Sequence, residues 1–263
     1  MLFQRVLSAV VLIPLVFVLF YLGGYWFLGL TLVAVLLAGW EYYAMLEKGG
    51  YSPSPVVGIA WMLLLVLSVW PSFPVSYHAI VVLGLIVTLS WALWRWPNPV
   101  EDWGLTSAGA VYLGTLAGTF VAMRELPHGF RWVLVAVITT WVSDSGAYFV
   151  GISFGKHKLW PRLSPKKSWE GVVGGLVFGT AAAFLMGVWF FPAVSFVRWV
   201  VLGLILSAAA PFGDLSVSMV KRQVGVKDTG HLIPGHGGML DRLDSLLFIV
   251  PIAYYWALWI GPR

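Results

Sequence analysis

The 263-residue chain contains no cysteine. Disulfides, thiolate zinc sites and cysteine nucleophiles are therefore excluded. Charge is scarce as well. Asp, Glu, Lys and Arg make up 10% of the sequence, against about 25% in a soluble domain, too few to coat a water-facing surface. There is no Gly-rich stretch ending in Gly-Lys-Ser/Thr, so a Walker-type ATPase is not expected. Internal repeats and low-complexity tails are missing too. What is present is apolar: 60% hydrophobic residues and a mean hydropathy of +0.87. These figures exclude intrinsic disorder and indicate an integral membrane protein. The net charge of +5 fits basic loops that hold topology and face anionic lipid, so no nucleic-acid partner is expected. Sixteen Trp, sixteen Phe and ten Tyr suit two interfacial belts.

A hydrocarbon core about 30 Å thick needs about 20 apolar residues in a helix. Nine runs qualify: Val6–Leu22, Tyr25–Met45, Val56–Trp70, Tyr77–Trp96, Thr106–Met123, Arg131–Val150, Gly171–Phe191, Trp199–Val220 and Leu243–Ile260. The third and fifth are short. Met1–Leu22 has the charge and apolar run of a signal peptide but no small-residue cleavage site, and reads as a retained first helix. Gly109, Gly114 and Gly118, and the glycines of Gly171–Gly179, would let helices approach closely. Alternating nine spans from the N-terminus puts twelve of the sixteen Lys and Arg on one side, leaving Arg124, Arg131, Arg198 and Arg263 on the other. By the positive-inside rule the first side is cytoplasmic. The expected fold is an all-α, polytopic membrane bundle of about nine helices, N-in and C-out. Residues 1–130 would serve packing and lipid contact, and residues 131–263 would carry two cytoplasmic loops that form the site.

Three carboxylates fall within apolar runs: Glu41, Asp144 and Asp214. An ionisable group at membrane depth is costly unless paired or hydrated, and is a functional candidate by default. Glu41, in Gly-Trp-Glu-Tyr-Tyr, reads as an interfacial carboxylate beside aromatic anchors. Asp144 and Asp214 lead directly into the two polar loops and read as functional.

The first loop, Gly151–Gly171, carries five Lys and Arg together with Ser164 and Ser168, a set able to bind phosphates through charge-assisted hydrogen bonds. Ser164-Pro165 followed by Lys166-Lys167-Ser168 predicts a helix start, whose amides would favour an anion. The second loop is more specific. Asp214, Ser218, Lys221 and Arg222 fall on one helical stripe. Glycines around His236, including Gly237 and Gly238, permit a turn that offers amides to a phosphate oxygen. Asp241 and Asp244 lie one turn apart, and oxygen-rich clusters of this kind suit Mg²⁺. Lys221, Arg222 and Lys167 are expected to face water. His231 and His236 read as hydrogen-bonding residues. Together these features imply phosphate chemistry at a membrane surface, where positioning and charge neutralisation outweigh covalent catalysis.

The stretch Ser218-x2-Lys221-Arg222-x4-Lys227-Asp228-x-Gly230-x2-Ile233-Pro234-x-His236-Gly237-Gly238-Met239-x-Asp241-Arg242-Leu243-Asp244 resembles the signature of the phosphatidate cytidylyltransferases (CDP-diacylglycerol synthases), without departure. Ser164–Gly171 and Asp144-x3-Tyr148-x2-Gly151 are similar to that family's upstream motifs. The resemblance implies CTP and phosphatidate as substrates, CDP-diacylglycerol and pyrophosphate as products, and dependence on Mg²⁺ in the cytoplasmic membrane. On that basis Asp144, Asp214, Asp241 and Asp244 would serve a metal ion, with room for a second cation. Lys221, Arg222, Lys227, Asp228, His236 and Arg242 form the expected catalytic set. Ser164, Lys166, Lys167, Ser168, Ser218, Gly237 and Gly238 would contact substrate. An ionised phosphate nucleophile requires no general base, and none is assigned. The family and the glycine-rich helix faces also suggest a homodimer. Two alternatives remain: another membrane CTP-dependent lipid-phosphate transferase, such as one that makes a CDP-activated isoprenoid, and a transporter of organic phosphates. The CDP-alcohol phosphotransferases are disfavoured, since their Asp-Gly-x2-Ala-Arg signature is missing.

Overall fold

A computed structural model describes residues 2–230, 232 and 237–260, with the side chains of residues 2–9, 11 and 260 left out of the description. Its helices are α1 (Leu2–Leu22), α2 (Gly24–Lys48), α3 (Pro55–Ser68), α4 (Tyr77–Ala92), α5 (Pro99–Arg124), α6 (Gly129–Phe154), α7 (Trp169–Phe190), α8 (Phe196–Gln223) and α9 (Leu240–Ile260). Each coincides with one of the nine apolar runs. Five of them, α2, α5, α6, α7 and α8, are long and apolar enough to cross a membrane. The chain is thus a multi-pass membrane protein.

Boundaries moved where polar residues join a helix beyond its apolar stretch. The fifth run, expected to be short, belongs to a 26-residue helix. Its start at Pro99, a residue suited to the first helical turn, adds Glu101 and Asp102, which a hydropathy reading leaves outside. The fourth ends at Ala92 rather than Trp96, because Pro97 and Pro99 disfavour helical backbone before them.

One expectation fails outright. Ser164–Ser168 is not a helix start but strand β2, paired antiparallel with β1 (Lys158–Trp160), with Lys158 opposite Ser168 and Trp160 opposite Ser164. The fold is therefore nearly, not wholly, α-helical. Pro165 accounts for the difference, since the residue before a proline is driven to extended backbone. The helix begins five residues later, where the Ser168 hydroxyl accepts from Gly171 N at 3.2 Å as the N-cap of α7.

The chain divides into two compact units: Met1–Glu125 with Lys221–Leu243, and Leu126–Val220 with Asp244–Arg263. The signature segment from Lys221 to Leu243 thus belongs with the N-terminal helices, whereas a cut at residue 130 would assign it to the other half. In the first unit, α3 packs between α2, α4 and α5. Tyr43, Met62, Leu65, Leu113 and Met123 are fully buried there. Gly114 lies so close to the α3 backbone that an added Cβ would fall 2.8 Å from Met62 O. The Tyr43 hydroxyl donates to Thr106 O at 2.7 Å and ties α2 to α5.

In the second unit α6 and α7 form the tightest helix pair. A Cβ at Gly175 would meet Ser143 O at 3.1 Å, so the small residues of α7 set the interhelical distance, as expected for membrane helices. At one end of this unit Trp132, Phe191 and Trp199 gather, with ring centroids 4.8 to 5.4 Å apart.

Candidate active site

Within the second unit the polar residues of two expected motifs meet. Lys167, half-buried on β2, forms an ion pair with Asp214 Oδ2, and the Ser218 hydroxyl donates to Asp214 Oδ1 at 3.1 Å. Ser218 lies one helical turn beyond Asp214 on α8, which brings its hydroxyl back onto the carboxylate. A β-hairpin, rather than a helix terminus, presents the lysine. Ser164 is half-buried, Lys166 is exposed, and Ser168 is buried by its capping role. Asp144 lies on an exposed face of α6. Asp244 is 9% exposed, and its Oδ1 accepts from Ser245 N at 2.6 Å.

In the first unit Lys221 Nζ donates to Asp241 Oδ1 at 2.7 Å, with side chains 10% and 8% exposed. Lys221 does not face water as expected. Asp241 Oδ2 accepts from Thr229 N at 3.0 Å, from Gly238 N at 3.2 Å and lies 3.0 Å from Thr229 Oγ1. Burial pushes the Asp241 carboxyl up, but the Lys221 ammonium and the amides of Thr229 and Gly238 outweigh it, and the group lies below the ordinary carboxylate range.

The residue that sequence reasoning missed is Glu41. It is not an interfacial side chain among aromatics but is 7% exposed on α2. Its carboxylate accepts from Met239 N and Leu240 N, each at 2.9 Å, and lies 3.0 Å from Thr229 Oγ1. Glu41 therefore caps α9 from another helix, satisfying donors that have no partner within the helix and placing negative charge at its positive end. Thr229 has one hydroxyl proton and stands between two carboxylates, so it serves one at a time. The signal was present, a carboxylate inside an apolar run. Its partner 198 residues away was not readable.

The glycines now have specific reasons. Gly237 adopts φ +87°, which side chains disfavour. At Gly238 an added Cβ would run into Thr229 Oγ1 and the Glu41 carboxylate. Arg222 Nη1 donates to Val226 O at 3.1 Å. Lys227, Asp228 and Arg242 are exposed. His236, and with it His231, lies outside the described residues.

Among the described residues no three His, Asp or Glu side chains gather at one point. Mg²⁺ does not need such a cage, since it usually takes one or two carboxylates and completes its shell with water and substrate phosphate. The second unit fits that requirement. A Cβ at Gly213 would lie 2.9 Å from Ser245 Cα, so α8 and α9 touch backbone to backbone beside Asp214 and Asp244. In both units the aspartate oxygens carry protein partners, Asp214 from Lys167 and Ser218 and Asp241 from Lys221, Thr229 and Gly238, so a cation would have to displace a lysine in either place.

Comparison with known proteins places the whole chain in one family. Residues 3–259 match the model of the cytidylyltransferase family. A phosphatidate cytidylyltransferase of Haemophilus influenzae is 34% identical over 97% of this chain and 98% of its own length. One of Pseudomonas aeruginosa is 34% identical over 98% of each. One of Bacillus subtilis is 39% identical over 59% of this chain and 58% of its own. The multi-pass chain whose two units hold these lysine–aspartate pairs belongs to the cytidylyltransferase family and is a nucleotidyltransferase.

Proposed function

We propose that the chain transfers CMP from CTP to phosphatidate, releasing pyrophosphate and leaving CDP-diacylglycerol in the membrane. The observation that carries this reading is the end-to-end likeness to enzymes named for that substrate. The two lysine–aspartate pairs supply the chemistry it needs.

A phosphatidate oxygen attacks the α-phosphorus of CTP, a new P–O bond forms, and the bond to the β-phosphate breaks, its electrons leaving with pyrophosphate. The nucleophile is already ionised, so no residue has to remove a proton. Lys221 and Lys167 are each held by one carboxylate in the absence of substrate and turn toward phosphate oxygens when these arrive. Arg222, Lys227 and Arg242 neutralise the triphosphate and the leaving group. The turn at Gly237 and Gly238 is held open by Glu41 and Asp241. In the second unit Asp144, Asp214 and Asp244 would hold Mg²⁺, with Asp214 releasing Lys167 to do so, and in the first unit Asp241 would be open to a cation only by releasing Lys221. When bound, the cation supplies charge neutralisation on the transferring phosphate. The basic residues and the site face the cytoplasm, with the N-terminus on that side, in accord with the distribution of Lys and Arg.

The test uses purified protein in detergent with CTP labelled in its α-phosphate, phosphatidate and Mg²⁺. Label entering the lipid fraction, with equal pyrophosphate released, is the expected result. Pyrophosphate release that ignores phosphatidate, or none at all, overturns the proposal.

A further inference from the structure

A cavity of about 280 Å³ in the first unit is lined by residues to which the proposed reaction gives no role, among them Tyr51, Trp94, Arg95, Trp96, Glu101 and Asp102. It is framed by the residues that follow α2, by the residues that follow α4, and by the first turn of α5. Two of its features need explanation. Asp102 is only 6% exposed, yet the partner it has is a single neutral donor, Ser52 N, 3.2 Å from Oδ1. Among the described residues no cation stands within ion-pairing distance of it. A buried carboxylate without a counter-charge is expensive. Arg95 uses Nη2 alone, donating to Ser52 O at 2.9 Å and Pro53 O at 3.4 Å, which leaves Nε and Nη1 for an anion.

The cavity therefore asks for a positive group at its acidic wall and a negative group at its basic wall. Glu101, exposed beside Asp102, adds to the first demand. Trp94 and Trp96 are 76% and 87% exposed, and tryptophans so placed sit at the headgroup level of a bilayer. We propose that this cavity binds the zwitterion of an ethanolamine-type phosphodiester, with its ammonium on Asp102 and Glu101 and its phosphate on Arg95. A primary ammonium suits the site because it donates hydrogen bonds to the carboxylates, which a quaternary ammonium cannot do. The exposed indoles give a cation only one open face. The same chemistry is offered by a membrane phospholipid and by the free headgroup. Tyr51 extends the site toward the signature segment, since its hydroxyl accepts from Gln223 Nε2 at 3.5 Å.

Binding of phospholipids with identical acyl chains to the full chain in detergent, measured by native mass spectrometry, tests this without recourse to CMP transfer. Phosphatidylethanolamine is expected to bind at least tenfold tighter than phosphatidylcholine or phosphatidylglycerol. Asp102→Asn, which keeps the acceptor for Ser52 N, should remove that preference. Glu101→Gln, at an exposed position with no fold to disturb, should reduce it about threefold. Displacement of the lipid by millimolar phosphoethanolamine would assign the site to the headgroup in either form, and failure of such displacement would assign it to the lipid. Equal binding of phosphatidylethanolamine and phosphatidylcholine, a preference for phosphatidylglycerol, or a preference that survives both substitutions would overturn the proposal.

Discussion

Lys221 and Asp241 form an ion pair of 2.7 Å in which each side chain is at most one-tenth exposed. Breaking a buried pair from one side leaves a desolvated charge, at a cost of about 3–5 kcal/mol, whereas removing both partners costs far less. Lys221→Met and Asp241→Asn should each lower the melting temperature more than the double substitution Lys221→Met/Asp241→Asn does, Asn keeping an acceptor for Thr229 N and Gly238 N. Calorimetry in detergent reads the comparison. CMP transfer should be lost in all three, since the ammonium and the brace both serve the reaction. A double variant that melts lower than both single variants would show that the pair is not the unit described.

Glu41 makes a prediction of a different kind, because its carboxylate holds the backbone amides of Met239 and Leu240. Glu41→Gln keeps the volume and removes the charge together with one of the two carboxylate acceptors. Amide hydrogen exchange at Met239 and Leu240 should accelerate, and kcat should fall by about 100-fold if the Gly237–Gly238 turn needs this anchor. Unchanged exchange with lowered activity would mean that Glu41 acts through some other route.

Two glycines separate steric need from backbone need. Gly238→Ala drives a methyl group into Thr229 and Glu41, and should abolish transfer while the protein still inserts. Gly225 has φ +75° with no neighbour within 4 Å of an added Cβ. Gly225→Ala should cost about 1 kcal/mol and leave kcat within twofold. Steady-state kinetics and thermal melting on both variants check the contrast.

For the second unit, Mg²⁺ should raise the melting temperature of the wild type, since a ligand stabilises the state that binds it. Asp214→Asn should reduce that shift and raise the Mg²⁺ concentration needed for half-maximal transfer by about tenfold or more. Lys167→Ala should instead leave the metal requirement in place and weaken use of a phosphate substrate. Identical Mg²⁺ shifts in wild type and Asp214→Asn would remove Asp214 from the metal site.

Topology is testable by thiol labelling, helped by the absence of native cysteine. Ser164→Cys and Lys227→Cys should react with an impermeant reagent from the cytoplasmic side and Ser195→Cys from the opposite side. Thr229, a natural choice from its place in a polar loop, is unsuitable because it is 5% exposed. Labelling of Ser164→Cys and Ser195→Cys from one side would refute the nine-span arrangement.

Helices were legible in the sequence because their signal is local: an apolar run of sufficient length states its own conformation. The reach of α5 back to Pro99 was hidden because Glu101 and Asp102 break the run without breaking the helix. The β1–β2 hairpin was hidden because its pairing depends on register, and basic residues carry no alternation to betray it. Ser218, Asp214 and Lys167 stood out in the sequence as polar residues beside apolar runs, but which lysine meets which aspartate was not readable. Glu41 shows the limit most plainly. Its chemistry was visible at once, and its function depended on a chain segment almost two hundred positions away.

The 16-residue length of α4 has a consequence for the surrounding lipid. At 1.5 Å per residue the helix is about 24 Å long, some 6 Å less than the hydrocarbon thickness of an average bilayer. Much of its surface is exposed, with Val82, Ile86 and Leu89 each more than half accessible. A bilayer crossed by such a helix would have to thin beside it, or neighbouring side chains would have to reach outward, each at a fraction of a kcal/mol per Å of mismatch. Lengthening the acyl chains of a reconstituted bilayer would strain this edge first. A helix of this length, set across a bilayer, would make the first unit responsive to the physical thickness of the membrane.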